Sequence, residues 1–312
     1  MTNSLAFLFP GQGSQAVGMG KELAEKYPVA RQTFEEADVA LGMALSRLCF
    51  EGPEEELRRT EITQPSILAV SVATWRVVAE LGVKPAWVAG HSLGEYSAHV
   101  AAGTLNFADA VRTVRNRGRY MQEAVPAGVG AMAAVLGVAA EKVREICGQA
   151  AQGEVCEAAN MNSPEQVVIS GHKGAVERAV ALAAEQGAKK AVLLPVSAPF
   201  HCSLMRPAQE RLAQDLGSLQ MRNPTPSVMC NVDAALVETA ETSRDALVRQ
   251  VTGTVRWDEC VRGLIVKGAE AFVEVGPGKV LWGLMRQIDR SKTSWHTSDD
   301  AALQKTLQGL AS

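Results

Sequence analysis

The sequence predicts an α/β protein, a mostly parallel sheet covered by helices, with a ferredoxin-like unit inserted into it. Short apolar runs alternate with longer helical patterns through most of the chain, as they do where helices cover a buried parallel sheet. Glycine, proline or polar turn residues bound most of those runs. In the middle the alternation gives way to the order β-α-β-β-α-β, which is the ferredoxin-like arrangement.

Leu5–Phe9, Trp87–Gly90, Val228–Val232 and Ala271–Val275 read as buried strands, with periodic helical segments such as Ile67–Leu81, Ala108–Ala124 and Val261–Lys267 between them. In the insert, Ala131–Leu136 reads as a strand and Ala140–Ala150 as a helix. Val155–Ala159 and Gln166–Ser170 are two strands joined by Asn160-Met161-Asn162-Ser163-Pro164, followed by a helix over Ala175–Gln186 and a last strand over Lys190–Val196. Pro126-Ala127-Gly128 and Ser197-Ala198-Pro199 flank the unit. The expected division is therefore a large catalytic part, 1–126 and 199–312, and a small part, 127–198. Beyond Ser291 the chain is polar and is expected to be peripheral.

The 312 residues can bury a large core, and 47% hydrophobic with 21% charged residues is an ordinary globular composition. A formal net charge of -3 gives no reason to expect nucleic acid or an anionic membrane as partner. No apolar run reaches the roughly 20 residues that span a bilayer, and Leu5–Phe9 is too short for a signal-peptide core. A cytoplasmic protein is expected. The six cysteines include no CxxC, so neither a disulfide framework nor a metal site is expected. Cys202, beside His201, is read as a packing residue.

Gly90-His91-Ser92-Leu93-Gly94 fits G-x-S-x-G, with a strand-like run before it and a helix-like run, Glu95–Ala102, after it. That context makes Ser92 a candidate nucleophile on a strained turn, and gives the large part an α/β-hydrolase-like core. The helix start would aim free N–H groups at a developing oxyanion, with the Leu93 N–H as the natural donor. Serine needs a base. Of the five histidines, His201 directly follows a strand, where sites of open α/β sheets form, and lies where the insert rejoins the large part. His99 is two helical turns from Ser92. A hydrolase order of Ser92, Asp258 and His296 is the weaker alternative, because no strand precedes His296.

Taken together, the markers resemble malonyl-CoA:acyl carrier protein transacylases, the discrete acyltransferases of bacterial fatty-acid synthesis, over almost the whole length. They are Phe9-Pro10-Gly11-Gln12-Gly13-Ser14-Gln15, Thr63-Gln64-Pro65, Gly90–Glu95, Arg117-Gly118 with Met121, Asn162-Ser163-Pro164, Val168–Gly171, Phe200-His201, Gln250-Val251, Val255-Arg256-Trp257 and Glu274–Gly278. The resemblance implies Ser92 as nucleophile and His201 as base, with the Gln250 carbonyl orienting the imidazole. It also implies Gln12 and Leu93 at the oxyanion hole and Arg117 gripping the malonyl carboxylate. A guanidinium fork suits that task because it forms two parallel bonds to a carboxylate. Arg112, Arg115 and Arg119 on the same helix are read as a solvated basic face.

The implied reaction is ping-pong transfer of malonyl from malonyl-CoA to acyl carrier protein, serving fatty-acid or polyketide synthesis. Coenzyme A and phosphopantetheine are substrate carriers there, and no cofactor is expected. A monomer is expected, with Lys189, Lys190, Arg286, Arg290 and Lys292 as candidates for receiving an acidic carrier. A serine thioesterase or hydrolase on a related fold is the alternative enzyme, and a carrier-binding protein with a dead site the non-enzymatic one.

Overall fold

The computed structural model describes residues 4–196 and 198–311. Ser197, in the expected junction at the end of the insert, lies outside the described residues, as do residues 1–3 and 312. Among the described residues there are ten strands: β1 (Leu5–Phe9), β2 (Trp87–Gly90), β3 (Gly130–Leu136), β4 (Cys156–Ser163), β5 (Gln166–His172), β6 (Lys190–Leu193), β7 (Val228–Cys230), β8 (Ala235–Val237), β9 (Ala271–Glu274) and β10 (Thr293–His296). They form a six-stranded sheet, ordered β10-β9-β1-β2-β7-β8, and a four-stranded one, ordered β4-β5-β3-β6.

In the larger sheet only β8 runs antiparallel. Its central strand β1 is buried along its whole length, and the two-residue period divides it between two layers. Leu5, Phe7 and Phe9 face the core on one side, which includes the helices Thr60–Glu80 and Phe107–Glu123. Ala6 and Leu8 face the other, with Trp257, Val261, Leu264 and Leu281 from the helices Trp257–Val266 and Val280–Ile288. Burying side chains such as Phe7 contributes roughly 1.5–3 kcal/mol each. β1 and β2 end level, with Phe9 opposite Gly90, so the segments after them emerge side by side at the carboxyl edge.

The smaller sheet is antiparallel. The helices Ala140–Ala151 and Lys173–Glu185 cover one face, packing Val143, Ile146, Val176 and Ala179 onto Ala133, Val135, Val167 and Ile169. On β4 the register shifts between Ala158 and Asn160. Cys156 and Ala158 thus pack under the helices, while Asn160 and Asn162, also even-numbered, line a cavity at the larger sheet. β4 is bonded to the larger part through Met161 N–H to the Val255 carbonyl at 2.9 Å and Val255 N–H to the Ala159 carbonyl at 2.8 Å.

Several segments differ from the sequence expectation. Residues 160–163, expected to join two strands, continue β4, and Ala235–Val237 adds an antiparallel edge strand. The helix expected from Ile67 begins at Thr60, with Pro65 inside it. That proline removes only one helix bond near the first turns, yet it reads as a break in the sequence. The chain beyond Ser291 is not simply peripheral. Thr293–His296 pairs in parallel with β9, and a helix over Asp300–Ala311 follows. This edge strand is half-buried and polar at its start, so it carries no apolar signature. Among the described residues no helix is long and apolar enough to cross a membrane.

Candidate active site

Ser92 follows β2 directly and has a backbone φ of +52°, a region that side-chain-bearing residues enter only under constraint. The turn is tight because its glycines have no room for a Cβ. One on Gly90 would run into the Gly94 backbone, and one on Gly94 into the Phe9 carbonyl. Side chains hold the turn. The Asn231 amide oxygen accepts the Ser92 N–H at 2.7 Å while its nitrogen donates to the Gly90 carbonyl at 2.7 Å. Gln250 Nε2 donates to the Ser92 carbonyl at 3.0 Å.

Ser92 Oγ lies 2.7 Å from His201 Nε2. The other ring nitrogen, Nδ1, lies 2.9 Å from the Gln250 main-chain carbonyl. A carbonyl only accepts, so Nδ1 carries the proton and Nε2 presents a lone pair to the serine hydroxyl. His201 also has a positive φ, +58°. Burial and the nearby Arg117 charge hold its imidazole down to about 3, so it is neutral at ordinary pH. The neighbouring Cys202 is buried, donates to the Pro199 carbonyl at 3.2 Å, and has its thiol pushed up to about 11 by burial.

Arg117 is 1% exposed. Nη1 donates to Gln64 Oε1 at 2.8 Å, and Nη2 donates to Ser92 Oγ at 3.1 Å and to Gln250 Oε1 at 3.0 Å. Its cationic group lies 5.7 Å from the Tyr96 ring centre. Burial lowers its pKa. Of the neighbouring arginines, Arg112 pairs with Asp109 and Arg119 with Glu123 on the exposed side of the helix, whereas Arg115, expected on the same solvated face, is half-buried and donates to the Leu41 carbonyl at 3.3 Å.

These groups line a cavity of about 200 Å³. Gln12, Ser92, Leu93, Arg117 and His201 come from the larger part, and Met132, Asn160, Asn162 and Val168 from the smaller sheet. The Leu93 and Gln12 N–H groups meet no acceptor among the described residues, and Leu93 immediately precedes the helix Gly94–Ala101. The His91 ring lies 5.5 Å from that of Trp257, which packs under the larger sheet. His91 lines the cavity and contacts Asn162 Oδ1 at 2.8 Å.

The structure thus brings all six sequence-predicted site residues to one cavity or its immediate wall. It adds Gln64, Glu95 and Asn231, to which sequence reasoning gave no role. The first two were visible within their motifs. Asn231 follows the end of β7, a strand-end position that could have singled it out. Of the five basic residues considered for an acidic partner, Lys189 and Lys292 already pair with Glu165 and Glu270. His296 lies against Ser298 and Trp282, away from this cavity.

A family model described as "Acyl transferase domain" matches residues 6–305. A malonyl CoA-acyl carrier protein transacylase of Salmonella typhimurium is 50% identical over 303 residues, which cover 97% of this chain and 98% of that protein. The crystal structure of an acyl carrier protein S-malonyltransferase from Vibrio cholerae superposes with a TM-score of 0.95 at 50% identity, covering 97% and 99% of the two chains. A malonyl-transacylase solved in complex with its type II PKS acyl-carrier protein gives 0.96 at 46% identity, covering 98% and 99%.

Proposed function

This chain belongs to the acyl transferase domain family, and from that premise we propose that it moves a malonyl group from malonyl-CoA to the phosphopantetheine thiol of acyl carrier protein through an ester on Ser92. The observation that carries the reading is the buried Arg117 guanidinium 3.1 Å from the Ser92 hydroxyl. A malonyl group has its free carboxylate one carbon from the reacting carbonyl. A cation beside the nucleophile is where that carboxylate falls when the carbonyl is attacked.

Ser92 Oγ forms a bond to the thioester carbon as its proton passes to His201 Nε2. The charge left on the carbonyl oxygen faces the Leu93 and Gln12 N–H groups. The carbon–sulfur bond breaks, and the coenzyme A sulfur takes the proton from His201. The carrier's phosphopantetheine thiol then gives its proton to His201, attacks the malonyl ester, and the Ser92 oxygen leaves with that proton. The Gln250 carbonyl supports the ring whenever both nitrogens are protonated. A malonyl carboxylate on Arg117 also offsets the positive charge that depresses His201, so the correct substrate strengthens its own base.

One chain supplies Ser92, His201, Arg117 and Gln250, which supports a monomer as the working unit. The reaction uses no cofactor beyond the two carriers, and we place it in the cytoplasm, supplying fatty-acid synthesis. Labelled malonyl-CoA tests the reading. Label should pass to carrier protein bearing its phosphopantetheine arm, and not to carrier lacking the arm. Free malonate released at the same rate without any acceptor would instead identify a hydrolase.

A further inference from the structure

Glu95 is the acidic residue of the nucleophile turn, yet it touches no reacting atom. It is fully buried in the first turn of the helix Gly94–Ala101. Its Oε2 accepts two hydrogen bonds, from the Asn231 main-chain N–H at 2.9 Å and from Gln250 Nε2 at 2.7 Å. Both donors belong to residues whose side chains grip Ser92, Asn231 at its N–H and Gln250 at its carbonyl. Gln250 Oε1, in turn, accepts from Arg117.

The chemistry of the three groups fixes the middle one. Glu95 Oε2 accepts, and a guanidinium only donates. A glutamine amide between them has one arrangement that satisfies both, with nitrogen toward the carboxylate and oxygen toward the guanidinium. Without Glu95 the amide nitrogen keeps only the Ser92 carbonyl at 3.0 Å as a close acceptor, so the preference for this orientation weakens, and turned over the amide would present its own donors to Arg117. The acceptors of the guanidinium are all neutral, Gln64, Gln250 and Ser92, so correct orientation of each dipole matters to a buried cation.

We propose that Glu95 is a positioning residue for acyl selection: it pins the Gln250 side-chain amide, and through it aims Arg117 at the place of the malonyl carboxylate. The proposal rests on the malonyl-transfer reading. It separates two functions of Gln250, whose main-chain carbonyl holds His201 while its side chain holds Arg117.

The test compares self-acylation by malonyl-CoA and by acetyl-CoA, as kcat/KM, in wild type and in Glu95→Ala, Glu95→Gln, Gln250→Ala and the Glu95→Ala/Gln250→Ala pair. Glu95→Ala should lower the malonyl rate about 30-fold and the acetyl rate by no more than about threefold, narrowing discrimination about tenfold. Glu95→Gln retains an acceptor oxygen and should stay within about threefold of wild-type discrimination. Gln250→Ala, which leaves the main-chain carbonyl in place, should narrow discrimination by about the same factor as Glu95→Ala. Adding Glu95→Ala to it should change discrimination by less than about twofold. Equal losses for both acyl groups in a folded Glu95→Ala protein would overturn the proposal. If that protein does not fold, Gln250→Ala decides alone, and wild-type discrimination in it has the same overturning force. A wild-type protein that forms no malonyl ester would strike the malonyl-transfer reading itself.

Discussion

Arg117 Nη2 donates to Ser92 Oγ at 3.1 Å, so the group proposed to read the acyl chain touches the atom proposed to receive it. The same hydroxyl lies 2.7 Å from the lone pair of His201 Nε2. It therefore accepts from the cation and donates to the base. An incoming carboxylate competes for the guanidinium with the hydroxyl, and frees an oxygen lone pair when it succeeds. On the proposed roles, selection and activation are linked in one hydrogen-bond chain.

Replacing Arg117 should separate malonyl from acetyl. Arg117→Ala removes a charge-assisted interaction, each bond of which is worth about 1.5–3 kcal/mol. The ratio of malonyl to acetyl acylation, measured as kcat/KM, should fall by roughly a hundredfold or more. Arg117→Lys should recover little of it, because a point charge cannot reproduce the fork held by Gln64 and Gln250.

The base should be neutral across the working range. His201 is depressed from 6.5 to about 3, so its basic form is lost only as pH falls toward that lower value. Pre-steady-state acylation followed from pH 5 to 8 should show no limb near 6.5 from this histidine. Glu95 is pushed up to about 7 by burial, so the same profile is measured in Glu95→Gln. A limb near 6.5 that survives that substitution contradicts the assignment.

Stability should report the buried carboxylate with a defined sign. Glu95 has a folded value of about 7 against 4.5 ordinarily. Between these two values the native state keeps a proton that the unfolded state has lost. Stability from this group therefore falls as pH rises from 4.5 to 7. Relative to wild type, Glu95→Gln should gain stability over that interval, by up to roughly 3 kcal/mol, in urea unfolding curves at matched pH. A difference independent of pH would contradict the buried titration. Arg117 and Asp233 also act on the carboxyl, in opposite directions, and are the same in both proteins.

Close packing behind Arg117 gives a test remote from the chemistry. A Cβ added at Gly118 would lie 2.6 Å from the Thr60 carbonyl oxygen, where the helix Phe107–Glu123 meets the helix Thr60–Glu80. Gly118→Ala should destabilise the fold by about 1–3 kcal/mol and loosen the Arg117–Gln64 contact, raising the malonyl KM more than it lowers kcat.

Much of this site was legible because its chemistry is written in short local patterns. Ser92 sits in a strand-turn-helix motif, and His201 follows the segment that rejoins the larger part, so both are placed by neighbours in sequence. The Leu5–Phe9 strand matched to the residue because its apolar run is continuous and ends at Pro10. Asn231 and Glu95 gained roles only in space, since their partners lie 139 and 155 positions away. The β10 edge strand was missed because one covered face leaves no apolar run. The helix over Thr60–Glu80 was shortened in expectation because Pro65 is a helix breaker by rule, whereas tertiary burial keeps this one intact.

The acyl-enzyme tests the whole arrangement most directly. Wild-type protein and Ser92→Ala are mixed with malonyl-CoA without acceptor, quenched in acid, and measured by intact mass and peptide mapping. Wild type should gain the mass of one malonyl group on the peptide containing Ser92, and folded Ser92→Ala should gain none. A malonyl adduct that persists in Ser92→Ala, or maps elsewhere in wild type, would contradict the assignment of Ser92 as the acyl carrier.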